Sequence, residues 1–143
     1  MQLSTILSTK GEFVATITPE QSVAQLAARL NEHHVGALVV SSDGRTIAGI
    51  ASERDVVRAL AEGPEMLSEP VSSIMTARVF TAPPEAHVDE LLHLMTDKRV
   101  RHIPVTDADG LLIGIVSIGD VVKTHMEELE RERAALVDYI TKG

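Results

Sequence analysis

The chain repeats itself. Shifted by 65 residues, positions 14–57 lie over positions 79–122 without a gap and share 14 identities in 44 positions. The matches are spread along the segment: Pro19-Glu20 over Pro84-Glu85, Val23 over Val88, Leu26 over Leu91, Val35 over Val100, Val40 over Val105 and Gly49-Ile50 over Gly114-Ile115. A repeat of this period means one supersecondary unit made twice. Each unit reads as strand, helix, strand, hairpin, strand, helix. The first strand is expected over Phe13–Ile17 and, in the second copy, over Arg78–Thr81, each ending at a proline-containing turn. Ser22 is a candidate N-cap for a helix through Glu32 with Val23, Leu26, Ala27 and Leu30 on one face. Its counterpart runs from about His87 to Lys98 with Val88, Leu91, Leu92 and Met95 inward. The apolar runs Ala37–Val40 and Ile103–Val105 lead to the Asp-Gly turns Asp43-Gly44 and Asp109-Gly110, which predict hairpins. A unit this small cannot cover the aliphatic face of its own sheet, so the expected fold is α/β (α+β): a pseudo-two-fold pair of β-α-β-β-α repeats packed through their sheets. Residues 1–66 are the first repeat with a short lead helix over 1–8. Residues 67–143 are the second, led by Val71–Met75 and closed by a long helix. Glu62–Pro70, with Gly63, Pro64 and Pro70, is the linker.

Chemistry concentrates where each unit's last strand turns into its last helix. Gly49-Ile50-Ala51-Ser52-Glu53-Arg54-Asp55 and Gly114-Ile115-Val116-Ser117-Ile118-Gly119-Asp120 each end an apolar run and open a helical pattern. Such a turn presents unbonded N–H groups and a positive helix end, which suit a phosphate. An aspartate there can accept two hydrogen bonds from a vicinal diol. Asp is also a common N-cap, but capping by itself leaves the serine three residues earlier, present in both copies, without a role. No histidine is evident as a partner to Ser52 or Ser117, so nucleophilic catalysis is not expected.

Composition removes other classes. There are no cysteines, so disulfides, thiolate chemistry and Cys-based zinc sites are excluded. The six histidines include no helical i, i+4 pair with carboxylate support, and no metal site is expected. A net charge of −8 and an aromatic content of 2% argue against a nucleic-acid surface. No apolar run reaches the roughly 20 residues of a membrane helix. Met1–Leu7 shows no basic region followed by an apolar stretch, so no signal peptide is read, and the expected location is cytoplasmic.

Taken together, the β-α-β-β-α repeat, the Ile74-Met75-Thr76 lead, the strand Arg101-His102-Ile103-Pro104-Val105 and the two Gly-x-x-Ser-x-x-Asp turns resemble a tandem pair of CBS (cystathionine-β-synthase) domains, a Bateman module, over about residues 4–128. The resemblance implies a free-standing, non-enzymatic regulatory module. It implies no catalytic cofactor, but an adenosine-containing effector (AMP, ADP, ATP, NAD(H) or S-adenosylmethionine) in the cleft between repeats, a homodimer and an unidentified protein partner. Carried over residue by residue, it gives two sites. In one, Asp120 takes the ribose hydroxyls, Ser117 and the N–H groups around Ile118 and Gly119 face the phosphate or ribose, and Thr81, Ala82, Arg101, His102, Ile103 and Pro104 frame the base. In the other, Asp55 and Ser52 play those parts, with Thr16, Ile17, Thr18, Gly36, Ala37 and Leu38 as the frame. Arg54, where the second turn has Gly119, is placed for a phosphate, and Arg58 lies one turn on. A constitutive dimeric scaffold with a vestigial pocket is the alternative reading. Finally, Val122, Met126, Leu129, Arg133, Leu136 and Ile140 make a short heptad seam interrupted by one arginine, expected to meet a second subunit.

Overall fold

The computed structural model describes residues 1–11 and 14–142. Its elements follow the repeat: helix α1 (Leu3–Lys10), strand β1 (Thr16–Ile17), α2 (Val23–His33), β2 (Ala37–Val40), β3 (Gly49–Ser52), α3 (Glu53–Glu62), two 3₁₀ turns (Pro64–Ser68 and Val71–Ser73), α4 (Val88–Lys98), β4 (His102–Thr106), β5 (Leu112–Ser117) and α5 (Ile118–Lys142). The first sheet has the order β1-β2-β3, with β1 parallel and β3 antiparallel to β2; the second is the antiparallel pair β4-β5.

Local signals account for most of these elements. The Ser22 hydroxyl accepts from the Gln25 N–H while the Gln25 side chain accepts from the Ser22 N–H, a capping box that starts α2. Both middle helices end on a left-handed residue, His34 at φ 54° and Arg99 at φ 55°, and these two positions are related by the 65-residue shift. In the first hairpin, Asp43 accepts from the N–H groups of Thr46 and Arg45 at 2.7 and 2.8 Å. Those bonds, with the Thr46 and Ser41 hydroxyls, hold its carboxyl far below the usual carboxylate range.

The expected strand over Arg78–Thr81 does not form. In its place a single bridge joins Ala82 to Val105, with the Ala82 N–H donating to Pro104 O and the Thr106 N–H to Ala82 O. This is the equivalent of the Ile17–Val40 pair in β1. Pro83 and Pro84 follow at once and have no N–H to extend the ladder. In the first repeat the strand is only Thr16–Ile17, and its expected start at Phe13 lies outside the described residues.

Each repeat has its own core. Ile17, Val23, Leu26, Leu30, Leu38, Val40, Ala51, Val56 and Val71 form one; Leu3, Ile6, Ala82, Val88, Leu91, Met95, Ile103, Val105, Val116 and Val121 form the other. The lead segments define a regular crossing. Residues 69–71 exchange hydrogen bonds with Gln21 and Val23 of the first repeat, and residues 1–3 make the same bonds with Ala86 and Val88 of the second. Thus α1, first in the chain, completes the second core. Its Leu7 lies against Gly114 so closely that a Cβ there would meet it.

The alternate residues of the strands face the other way and are buried too. Val39 is fully buried yet belongs to neither core, and Pro104 is buried between Ile103 and Val105. Period-two alternation leaves the opposite repeat as their cover. The Leu112 N–H donating to Arg45 O at 2.8 Å ties the two hairpins together. The α/β pair of repeats is therefore present, as two small sheets flanked by helices.

Candidate ligand-binding site

A cleft of about 590 Å³ lies between the repeats. One wall comes from β2, β3 and the first two turns of α3: Ala37, Ile50, Ser52, Glu53, Arg54, Asp55, Val57 and Arg58. The other wall comes from the second repeat and its lead: Thr76, Arg78, Val79, Phe80, Arg99, Val100, Arg101 and His102.

The turn itself is built by the sequence Ser-x-x-Asp. The Ser52 hydroxyl accepts from the Asp55 N–H at 3.3 Å, and Asp55 Oδ2 accepts from the Ser52 N–H at 2.8 Å and its hydroxyl at 3.0 Å. In the second turn the Asp120 N–H donates to Ser117 Oγ at 3.1 Å and the Ser117 N–H to Asp120 Oδ2 at 2.9 Å. The serine three residues before each aspartate is therefore half of a capping box. That corrects the expectation that capping leaves it without a role. Nor is the Ile118 N–H free for a phosphate: it donates to Arg101 O at 2.8 Å, as the Glu53 N–H does to Gly36 O in the first copy.

What remains for a ligand differs between the turns. Each aspartate keeps Oδ1 outside its cap; among the described residues, Asp55 Oδ1 has the Arg58 guanidinium at 4.0 Å. Asp120 is engaged further, because Lys10 at the end of α1 places its Nζ 2.7 Å from Asp120 Oδ2 and 3.1 Å from Ile115 O. Burial pushes the Asp120 carboxyl up, but the Lys10 ammonium and the Ser117 N–H outweigh it and hold the group below its usual range.

Five arginines line the cleft: Arg54 and Arg58 on the first wall, Arg78, Arg99 and Arg101 on the second. The cleft also holds the acids Glu53 and Asp55, so the lining carries five positive and two negative charges in a chain whose net charge is −8. Among the described residues, Arg54, Arg78, Arg99 and Arg101 have no carboxylate partner, and Arg58 reaches Asp55 only at 4.0 Å. His102 adds no charge near pH 7, since burial and the nearby Lys10 ammonium push its pKa down. Apolar surface comes from Ile50, Val57, Val79 and the Phe80 ring, with Lys98 Nζ 5.9 Å from that ring's centroid.

The expected site residues divide. Ala37, Ser52, Arg54, Asp55, Arg58, Arg101 and His102 share the cleft. Arg101 and His102 were expected beside Asp120. Their backbone does lie there, through the His102–Ser117 pairing, but they line the cleft of Asp55. Gly36 abuts the His102 ring, where a Cβ would come within 3.3 Å. Leu38, Ala82 and Ile103 put their side chains into the cores. Thr18 bonds Gln21, and Thr16 O accepts from Arg29. Thr81 and Gly119 are exposed, Pro104 is buried and Ile118 packs on the second core. Arg78, Arg99 and Phe80 were missed. The signal for Arg99 is the repeat, which lays it over His34 at the end of the middle helix.

A second cluster was also missed, because its members stand on two helices far apart in sequence. Asp89 of α4 meets His125 and Glu128 of α5, with the three ligand atoms within 4.8 Å of one another. His125 Nδ1 lies 3.3 Å from Asp89 Oδ1, and the amino group of Met1 lies 3.2 Å from Glu128 Oε1, so the cluster brings Met1 and α4 against α5.

The CBS domain model matches residues 10–62 and 71–127. A mitochondrial CBS-domain-containing protein of Arabidopsis thaliana is 40% identical over 131 residues, which cover 88% of this chain and 63% of that relative, so the chain spans under two thirds of its length. A CBS-domain-containing protein of Agrobacterium tumefaciens, solved by crystallography, superposes with TM-score 0.82 at 39% identity over 87% of this chain and 99% of that one. A CBS domain protein of Pyrobaculum aerophilum complexed with AMP gives TM-score 0.75 at 26% identity over 84% and 89%. Among the described residues no helix is long and apolar enough to cross a membrane.

Proposed function

The chain belongs to the CBS-domain family, with two copies of the domain in tandem, and from that premise we propose that it is a non-enzymatic regulatory module that senses an adenine nucleotide in the cleft between its repeats. The observation that carries this reading is the pairing, in one cleft, of unpartnered arginines with an aspartate that keeps one oxygen outside its cap. Arginine matches phosphate oxygens through paired N–H donors. Asp55 Oδ1 suits a ribose diol, and Phe80 with Val57 and Val79 suits a base. The relative complexed with AMP supports the same ligand class. Asp55 is the ribose residue in this proposal, because it lines the arginine-bearing cleft, whereas Asp120 stands outside that lining with Lys10 beside its Oδ2. Each chain therefore takes one nucleotide.

Binding contacts both walls, so it favours the state in which the repeats are drawn together. It passes that preference to a partner protein only to the extent that its affinity differs between states. Calorimetry with AMP, ADP, ATP and NADH tests the reading. The expected result is saturable binding of at least one of them with a stoichiometry near one per chain. No heat and no thermal shift with any of the four at millimolar concentration overturns it, and leaves a scaffold whose turns serve only as helix caps. As to compartment, the Arabidopsis relative is mitochondrial by name, so the cytoplasm is one of two candidates.

The module acts as a homodimer in this proposal, with α5 as the contact. Its outer face leaves Met126, Leu129, Leu136, Val137, Tyr139 and Ile140 between 49% and 77% exposed, and Val122, Met126, Leu129, Leu136 and Ile140 form one seam. A seam of about three heptads is short for a coiled coil on its own, so α5 is proposed as part of the contact rather than all of it. Leu136→Glu with Ile140→Glu is expected to shift the sedimentation coefficient from dimer to monomer while the far-ultraviolet circular dichroism stays the same. A dimer unaffected by both changes places the contact elsewhere.

A further inference from the structure

Resting on the nucleotide reading above, we propose that the ligand of the cleft is a nucleoside polyphosphate, a di- or triphosphate, rather than a monophosphate. Arg54 and Arg58 stand on the wall made by the first repeat, while Arg78, Arg99 and Arg101 stand on the wall made by the second. Four of the five have no carboxylate to neutralise them among the described residues. Like charges gathered in one cleft repel, and they persist at a binding site where a ligand supplies the missing counter-charge.

With Glu53 and Asp55 counted and His102 neutral, the lining sums to three positive charges, five minus two. A monophosphate carries about two negative charges at neutral pH, and each further phosphate adds about one more. A monophosphate held by Arg54 and Arg58 at the start of α3 leaves the opposite wall's three arginines unmatched. A chain of phosphates running from the α3 end across the cleft meets both walls. Asp55, Arg54 and Arg58 share the start of α3 while Arg99 and Arg101 come from the other repeat, so a ligand that meets both sets needs the longer phosphate chain.

The test is calorimetry on the full chain in magnesium-free buffer with ATP, ADP and AMP, at low and at raised salt, for the native protein and for Arg99→Ala with Arg101→Ala. ATP is expected to bind tenfold or more tighter than AMP, at about tenfold per added charge-assisted contact. Its affinity is expected to fall more steeply with salt. The double variant is expected to lose tenfold or more in ATP affinity and less than threefold in AMP affinity. Inorganic tripolyphosphate is expected to compete with ATP. AMP binding within threefold of ATP, or a variant that weakens both nucleotides equally, overturns the polyphosphate inference while the nucleotide reading stands. If none of the three nucleotides binds, the nucleotide reading itself fails. A melting temperature close to the native one verifies that the variant is folded, as expected for exposed arginines at the cleft mouth.

Discussion

Deletion of residues 1–10 is expected to destabilise the second repeat and to leave the first largely protected. Helix α1 puts Leu3 and Ile6, 0% and 5% exposed, into the core made by α4, β4 and β5. Burying a large aliphatic side chain is worth about 1.5–3 kcal/mol, so the pair contributes roughly 3–6 kcal/mol as an upper estimate. That is a large part of the ~5–15 kcal/mol by which a domain is stable. The deletion also removes the bonds from the Leu3 and Ser4 N–H groups to Ala86 O and Pro84 O, and frees Asp120 from Lys10. Because the two repeats have separate cores, the loss is local before it is global. Hydrogen exchange read by mass spectrometry should show the amides of Val88–Lys98 and Leu112–Ser117 exchanging roughly a hundredfold faster or more. Those of Val23–His33 and Ala37–Val40 should change far less. Leu3→Ala, at about 2–5 kcal/mol for a buried leucine, should reproduce the pattern in milder form. Loss of protection first in α2 and β2 contradicts the crossing of the lead segments.

That crossing marks the boundary of what the sequence makes legible. Much of what depends on neighbours within a dozen residues was readable. The 3.6-residue spacing of Val23, Leu26 and Leu30 gave α2 its buried face, Ser22 its start, and Asp43-Gly44 its hairpin. Contacts over long separations were not. Residue 3 bonds residue 86, and nothing in either segment's composition says so. The site has the same division. Asp55 and Arg54 announce themselves in a duplicated turn, but their cleft is closed by Arg78, Phe80, Arg99 and Arg101 from the other repeat. Within their own repeat Arg101 and His102 neighbour Asp120 through the backbone, yet they line the cleft of Asp55. The serine of each turn was legible as a position and misread in role: a capping box needs Ser and an acid three residues on, and that spacing is present in both copies.

The duplicated capping boxes make Asp55 the decisive residue, because capping and ligand binding predict different things for the same substitution. Asp55→Ala removes the acceptor for the Ser52 N–H and hydroxyl. If that were its whole role, α3 would lose about 1 kcal/mol of capping and nothing else. The nucleotide reading adds the loss of Oδ1 as acceptor for a ribose diol. Hydrogen bonds to a carboxylate contribute about 1.5–3 kcal/mol each, so the affinity for ATP is expected to drop on the order of 100-fold while the melting temperature falls by only a few degrees. Asp120→Ala supplies the contrast. It breaks the equivalent cap and additionally the Lys10 pair, whose partners are partly exposed and whose net worth is small. It should therefore cost as much stability as Asp55→Ala or slightly more, yet change ATP affinity less than threefold. Equal affinity for native protein and Asp55→Ala reduces the first turn to a helix cap. An Asp120→Ala loss as large as that of Asp55→Ala means that Lys10 yields the second turn to ligand, and the calorimetric stoichiometry should then approach two per chain.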